Sequence, residues 1–188
     1  MEPKEVIRYL TSQIETRKEI LKIAYGSEEA KRKKIESWID TEMLAKLLEL
    51  KEKNKVERAE GEHNYDVLKI GPKGKKTYPR CDLWWEKNGH RYFLEIKTFR
   101  FHRNTGLKSY KDRIIEDLDK EQYLKSPYHF HHLLIVFDDN HYDNGNWKED
   151  LYKFYNSSDF KIEDEWNINL DERRTAHIFL HYKSEDNQ

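Results

Sequence analysis

The stretch Tyr78–Thr98, YPRCDLWWEKNGHRYFLEIKT, contains two runs of aromatic and aliphatic residues joined by Asn88-Gly89. Asn-Gly between two such runs is the strongest short-range signal for a β-hairpin, because both residues of the tight turn must adopt positive φ. The stretch therefore predicts two antiparallel strands joined by a two-residue turn.

The turn determines which side chains face each other. With Lys87 and His90 as the pair beside the turn, Asp82 falls opposite Glu95, and Lys97 lies on the same face two residues beyond Glu95. Opposed carboxylates have Cβ atoms about 4.5–5.5 Å apart and repel each other. Exposure to water, a shared proton or a bound divalent cation would offset this repulsion. An exposed Asp, Glu and Lys face is common on hairpins, and Lys97 could simply pair with Glu95.

The neighbouring aromatic residues favour partial burial of this acidic face. Trp84 and Phe93 lie on it, while the opposite, buried face consists of Leu83, Trp85, Tyr92, Leu94 and Ile96. Partial burial makes an uncompensated carboxylate pair costlier and favours a metal ion. Mg²⁺ suits such a site, because it binds few carboxylates, keeps several waters and accepts phosphate oxygens. A lysine beside it would orient or deprotonate a water, or stabilise charge on a phosphate.

Asp82 followed by Glu95-Ile96-Lys97 resembles the signature of the PD-(D/E)xK, or restriction-endonuclease-like, nuclease superfamily. The pattern over residues 36–138 is also similar: a helix, a meander of strands, the hairpin, a basic segment, a helix and an apolar strand. The signature's proline is displaced, because Pro79 lies three positions before Asp82 instead of beside it. The resemblance implies an α/β fold with a restriction-endonuclease-like core, a central mixed β-sheet flanked by helices.

The resemblance also implies roles for individual residues. Asp82 and Glu95 would ligate Mg²⁺, or Mn²⁺ as a substitute, helped by the backbone carbonyl of Ile96, and Lys97 would handle the nucleophilic water. Such folds often add an acidic catalytic residue from the first core helix, for which Glu42 is the best match. Its competitors on that helix are Glu36, Asp40 and Glu49.

Basic residues interleaved with aromatic ones follow the hairpin. Beside a metal site they would contact phosphates with salt-dependent affinity, whereas alone they would form a solvated loop. The predicted nucleic-acid contacts are Arg100, Arg103, Lys108, Lys111 and Lys120. Asp117 lies one helical turn before Lys120, so pairing within the helix is the alternative for that lysine. A second candidate basic patch is Lys73, Lys75 and Lys76.

Hydrophobic periodicity predicts the other elements. Helices are expected over residues 5–24, 28–53, 110–125 and 147–155. Strands are expected over residues 56–70, with an interruption near Gly61-Glu62, and over 80–86, 91–97, 132–137 and 175–182. Residues 98–109 are expected to form a loop. We predict an N-terminal helical extension over residues 1–27 and the nuclease domain over residues 28–188.

Composition bounds the class of protein. The 188 residues are 36% hydrophobic, 38% charged and 13% aromatic, and this aromatic content argues against wholesale disorder. No run approaches the roughly 18 apolar residues of a membrane span, and the N-terminus lacks an apolar signal stretch. The single cysteine, Cys81, excludes an intrachain disulfide framework and a multi-cysteine zinc site. We expect a soluble intracellular protein of the cytoplasm with no membrane partner.

The sequence thus predicts a Mg²⁺-dependent deoxyribonuclease, an endonuclease that hydrolyses phosphodiester bonds by attack of a metal-activated water. DNA is the expected partner, and RNA is the alternative substrate. One site cuts one strand, so a duplex cutter needs a homodimer or two successive events. Two other classes stay open: a catalytically inactive nucleic-acid-binding or scaffolding protein on the same fold, and a structural α/β protein whose hairpin charges are incidental.

Overall fold

The computed structural model describes residues 3–19, 32–70, 74–100, 108–139 and 146–185. The described residues form four α-helices: α1 (Pro3–Thr16), α2 (Arg32–Glu52), α3 (Lys108–Leu118) and α4 (Trp147–Asn156). A 3-10 helix, Asp119–Tyr123, directly follows α3. Among these described helices, none combines the length and the apolar character that crossing a membrane requires.

Six strands form a central sheet and two form a separate ribbon. In chain order, the strands are β1 (Arg58–Gly61), β2 (Lys69–Ile70), β3 (Lys76–Thr77), β4 (Leu83–Lys87), β5 (His90–Arg100), β6 (Tyr128–Asp139), β7 (Lys161–Asn169) and β8 (Arg174–Glu185). The central sheet has the order β1-β4-β5-β6-β8-β7, and β2 pairs only with β3. β5 and β6 are parallel, and every other neighbouring pair is antiparallel. The sheet is therefore mixed, with α3 in the β5–β6 crossover that a parallel pair requires.

The central hairpin forms as predicted. Asn88 and Gly89 make the turn with φ of 52° and 76°. Lys87 pairs with His90, and the ladder ends where Leu83 pairs with Leu94. Asp82 comes immediately before this ladder and so lies at the end of β4, opposite Glu95.

Helices cover both faces of the central sheet. α1 and α2 pack on the face that carries Leu83, Trp85 and Leu94. α3 and α4 pack on the other face with Trp84 and Phe93, whose exposed fractions are only 4% and 1%. Because side chains alternate along a strand, Glu95 and Lys97 share this second face. The predicted α/β fold with a helix-flanked mixed sheet is confirmed, and the acidic face is more fully covered than predicted.

Several element boundaries were wrong. The strand region predicted over residues 56–70 does break at the predicted point, because β1 ends at Gly61, but an irregular segment replaces the strand as far as the short β2. The loop predicted over residues 98–109 begins too early, because β5 continues through Arg100. β7 was missed, since its exposed acidic residues hide the alternation of an edge strand.

The N-terminal helix shares its apolar cluster with the sheet. Val6, Ile7 and Leu10 of α1 are fully buried in the same cluster as α2 and the central strands. The predicted boundary between an extension and a domain, at residues 27 and 28, lies outside the described residues.

Gly89→Ala is expected to lower the free energy of unfolding by about 1 kcal/mol, because an L-residue with a Cβ disfavours positive φ. An added Cβ would meet no atom within 4 Å, so the effect is conformational and not a clash. Urea denaturation measures it, with Asn88→Gly as the matched control that should not destabilise the turn. Equal stability of Gly89→Ala and the wild type would contradict the positive-φ turn.

Candidate metal and catalytic site

Asp82 and the end of β5 are joined by a direct hydrogen bond. The backbone amide of Ile96 donates to Asp82 Oδ2 at 2.6 Å. In a strand the N–H and C=O of one residue point to the same side, so the Ile96 carbonyl also lies towards the Asp82 side of β5. Burial raises the pKa of Asp82 to about 6, although the Ile96 amide acts against this shift.

Glu95 is a buried carboxylate with a partner at each oxygen. Its exposed fraction is 1%. The Tyr65 hydroxyl donates to Oε1, and Lys120 Nζ donates to Oε2 at 2.6 Å. Burial, reinforced by the nearby Asp82 charge, raises the pKa of Glu95 well above its ordinary value. The predicted repulsion between these two opposed carboxyl groups is therefore present in the folded chain.

Lys97 is held by carboxylates from two helices. Its Nζ lies 3.0 Å from Asp117 Oδ2 on α3 and 3.6 Å from Glu36 Oε1 on α2. Burial opposes the charge of this lysine, but the Asp117 and Glu36 carboxylates outweigh burial and raise the pKa of Lys97. Lys97 is therefore an ammonium ion at neutral pH, already oriented by two anions.

The acidic residues that α2 brings to the site are Glu36 and Asp40. Glu36 Oε2 accepts hydrogen bonds from the Thr98 amide at 3.1 Å and from the Thr98 hydroxyl at 3.2 Å. Asp40 lies one turn further along the helix. Burial, then the charges of Asp82 and Glu36, raise the pKa of Asp40 to about 8. Its Oδ1 is buried and has no hydrogen-bond partner within the described ranges.

Glu42, the residue favoured from the sequence, lies on another side of α2. The buried line of the helix includes Ile39 and Met43. Glu42 is about 200° around the helix axis from Asp40, so its side chain points away from the charges at the sheet. The structure therefore brings two of its named competitors, Glu36 and Asp40, to the cluster instead of Glu42.

The crossover helix supplies a second ion pair. Lys120 Nζ lies 2.9 Å from Asp117 Oδ1, in addition to its bond with Glu95. Burial opposes the charge of Asp117, but Lys120 and other positive neighbours outweigh burial and lower its pKa. Lys120, predicted as a phosphate contact, is thus engaged by two carboxylates at the site.

The other predicted nucleic-acid contacts are described only in part. Lys111 is half-buried on α3. The backbone of Arg100 ends β5 and that of Lys108 begins α3, but both side chains lie outside the described residues, as does all of Arg103.

Two neighbours of the site had no usable sequence signal. Tyr65 lies in an irregular segment, and only the fold brings its hydroxyl to Glu95. His132 is the register partner of Glu95 on β6. Burial lowers the pKa of His132 to about 4, so its ring is neutral at neutral pH. Nothing in the sequence indicated the β5–β6 register that places His132 there.

The resulting cluster has more negative than positive groups. Its five carboxyl groups are Glu36, Asp40, Asp82, Glu95 and Asp117, and its two ammonium groups are Lys97 and Lys120. If all five were ionised, the cluster would carry excess negative charge, which protonation of some carboxyl groups or a bound cation must offset. Burial, together with negative neighbours, raises the pKa values of Asp40, Asp82 and Glu95 and so favours their protonated forms.

The donor set fits a hard divalent cation. Asp82, Glu95 and the Ile96 carbonyl offer the oxygen ligands that Mg²⁺ prefers, and Asp40 adds a buried oxygen that lacks a partner. As the side chains stand, no three His, Cys, Asp or Glu residues of the described segments already form a metal-ligating group. Mg²⁺ commonly binds through one or two carboxylates and retained waters, so a smaller ligand set suffices.

Comparison of the chain with protein-family models, with curated proteins and with solved structures found no match.

Asp40→Asn is expected to stabilise the protein increasingly as pH rises. The pKa of Asp40 is about 8 in the folded chain against an ordinary 3.8, so ionisation disfavours folding progressively from about pH 4 to about pH 8. The variant should match the wild type near pH 4 and exceed its free energy of unfolding by about 2–4 kcal/mol at pH 8. Urea denaturation in EDTA measures this difference.

The matched control for this variant is Glu42→Gln on the same helix, which should follow the wild-type profile. The prediction concerns the difference in free energy of unfolding between the variant and the wild type. The wild-type profile alone would not show the effect of Asp40, because buried histidines change stability with pH in the opposite direction. The pKa of His132 is lowered from 6.5 to about 4, so this residue adds stability as pH rises through that range. If the free energy of unfolding of Asp40→Asn changed with pH in parallel with that of the wild type, Asp40 would not belong to the charged cluster.

Proposed function

We propose that this chain is a Mg²⁺-dependent nuclease of the PD-(D/E)xK type that hydrolyses phosphodiester bonds in DNA. The observation that carries the proposal is the convergence of Asp82, Glu95 and Lys97 in a buried cluster with excess negative charge. A purely structural hairpin would not need to bury such a cluster, because an uncompensated buried carboxylate is costly.

The topology around the cluster supports the same proposal. α2 precedes three antiparallel strands, β1, β4 and β5, and α3 then leads to β6 in parallel with β5. This is the order of elements that the resemblance implies. The carboxyl groups of Asp82 and Glu95 lie beside the first residue of β4, where β5 extends beyond the β4–β5 ladder. The backbone of Ile96 therefore has no pairing partner within β4.

Asp82, Glu95 and the Ile96 carbonyl would hold the ion, with Asp40 beside them. Mg²⁺, or Mn²⁺ in its place, supplies positive charge and a Lewis acid for the phosphate when bound. The ion would also oppose the effect of burial on the pKa values of Asp40 and Asp82, because a nearby cation favours their ionised forms.

Lys97 acts in this proposal as a fixed positive charge. An amine must be neutral to accept a proton, and Asp117 and Glu36 hold Lys97 in its ammonium form. Of the roles that the sequence left open, orientation of the water and stabilisation of charge on the phosphate therefore fit better than proton abstraction. Glu36 and Asp117 are positioning residues for this lysine.

Tyr65 and Lys120 position Glu95. Together they bind both carboxylate oxygens, which fixes the side chain and offsets part of the cost of burial. Release of one of these oxygens would allow Glu95 to bind a cation, and the Lys120 ammonium would then be available to a phosphate oxygen.

Asp82→Asn and Glu95→Gln should each reduce Mg²⁺-dependent cleavage of supercoiled plasmid at least about 100-fold, because each removes a charge that holds the ion. Agarose electrophoresis of time courses in Mg²⁺, Mn²⁺ and EDTA measures the rates. The ratio of nicked to linear product reports whether the two strands are cut in one event or in succession.

Asp150→Asn, an exposed carboxylate on α4, is the matched control and should cut like the wild type. Equal cleavage by the Glu95→Gln preparation would assign the activity to a contaminant. A wild-type chain that binds DNA, cuts nothing and gains no stability from either cation would favour the inactive DNA-binding protein. The saturated oxygens of Glu95 are the observation that favours that second candidate.

Lys97→Gln should separate metal binding from catalysis. Mg²⁺ should raise the Tm of this variant at pH 8 as it does for the wild type, because Lys97 is not a ligand, while plasmid cleavage falls at least about 100-fold. Lys97→Arg keeps the charge and should retain part of the activity. Loss of the Mg²⁺-dependent rise in Tm in Lys97→Gln, with unchanged cleavage, would contradict the role assigned to this lysine.

A further inference from the structure

A small ribbon projects from the segment that leads into Asp82. We define the ribbon arm as residues 67–70 and 74–78, which include β2 and β3. Every residue of the arm is exposed, and the arm belongs to a sheet of its own. Ile70 and Tyr78 have exposed fractions of 70% and 50%. Large apolar side chains at such exposure on a separate ribbon indicate a surface that contacts something else.

The arm has charge of one sign. Lys69, Lys75 and Lys76 are exposed on it, and residues 67–78 contain no Asp or Glu. A ribbon that combines lysines with exposed apolar side chains is complementary to a polyanion that also offers apolar sugar and base edges.

The arm also borders the approach to the candidate site. A groove of about 590 Å³ lies between the base of the arm and α3. Lys69 and Arg80 line it on the arm side, and Lys120 also lines it. The Lys120 ammonium is bonded to Glu95, so one residue of the groove lining contacts the buried carboxyl group of the candidate site.

We propose that the ribbon arm binds duplex DNA, with its lysines on phosphates and with Ile70 and Tyr78 against sugars or base edges. This inference rests on the proposed nuclease function, and it assigns the ribbon arm as the surface that binds the DNA substrate. The major groove of B-DNA, about 12 Å wide, admits a two-stranded β-ribbon.

Two features favour duplex DNA over other occupants. Single-strand binding usually requires several aromatic side chains for base stacking, and Tyr78 is the only aromatic residue on the described arm. A protein partner would be expected to cover a patch with few charges at its centre, whereas the exposed apolar side chains of the arm, Val67, Leu68, Ile70 and Tyr78, share it with Lys69, Lys75 and Lys76. The opposite wall of the groove carries Asp112, Glu116 and Asp119, which repel phosphates and keep the backbone on the arm side.

The test is the triple variant Lys69→Ala, Lys75→Ala and Lys76→Ala. Its affinity for a short fluorescein-labelled DNA duplex is measured by anisotropy in EDTA over a range of salt concentrations. Near physiological salt the affinity should fall about 10- to 100-fold, and the slope of log K against log salt should become shallower by about 2–3, because each phosphate contact contributes about 0.9. In plasmid cleavage, KM should rise while kcat stays near that of the wild type.

The matched control is Lys51→Ala, Lys55→Ala and Lys161→Ala, which removes the same charge from exposed lysines outside the arm. It should keep the wild-type salt slope. If the wild type binds and cuts DNA and the arm variant binds duplex DNA equally well, the proposed role of the ribbon arm is wrong and the proposed nuclease function is unaffected. Loss of single-stranded but not duplex binding would also overturn the proposed role of the arm. A wild type that neither binds duplex at low salt nor cuts plasmid would refute both proposals.

Discussion

The burial of the Glu95 carboxylate is the interaction on which the rest of the site depends. An ionised carboxylate at 1% exposure is tolerated only when both oxygens are bound. Tyr65 comes from the segment after β1, and Lys120 comes from the end of the crossover. One buried carboxyl group thus joins three parts of the chain that are distant in sequence. Lys120 in turn engages Asp117, which reaches Lys97, and Lys97 reaches Glu36 on α2.

This chain of ion pairs leaves an excess of carboxyl groups over ammonium groups in a part of the molecule that is largely shielded from water. Asp40 and Asp82 respond by holding protons at a pH where exposed carboxyl groups have lost them. Such an arrangement disfavours folding, so a protein that keeps it gives up stability that ordinary side chains would restore. A trade of stability for chemistry is typical of catalytic sites.

Local interactions explain what the sequence could predict. The Asn88-Gly89 turn sets the hairpin register, and the register alone places Asp82 opposite Glu95. The partners of these residues depend on packing. Glu36 and Asp40 lie on one flank of the buried line of α2 and Glu42 on the other, and only the docked orientation of the helix decides between them. Tyr65 and His132 depend on contacts between segments far apart in the chain, for which a single sequence has no periodic signal.

The base of the ribbon arm is closed independently of its outer part. The Tyr65 amide donates to the Pro79 carbonyl at 2.9 Å, and the Cys81 amide donates to the His63 carbonyl at 3.0 Å. These bonds fix Tyr65, and Cys81 beside Asp82, through backbone atoms at the base of the arm and not through the residues of the arm itself. Descendants of this chain can therefore lengthen, shorten or rewrite the excursion without displacing the carboxylates. In the proposed nuclease, the surface that would hold the substrate and the carboxyl groups that would bind the metal ion can therefore change separately in evolution.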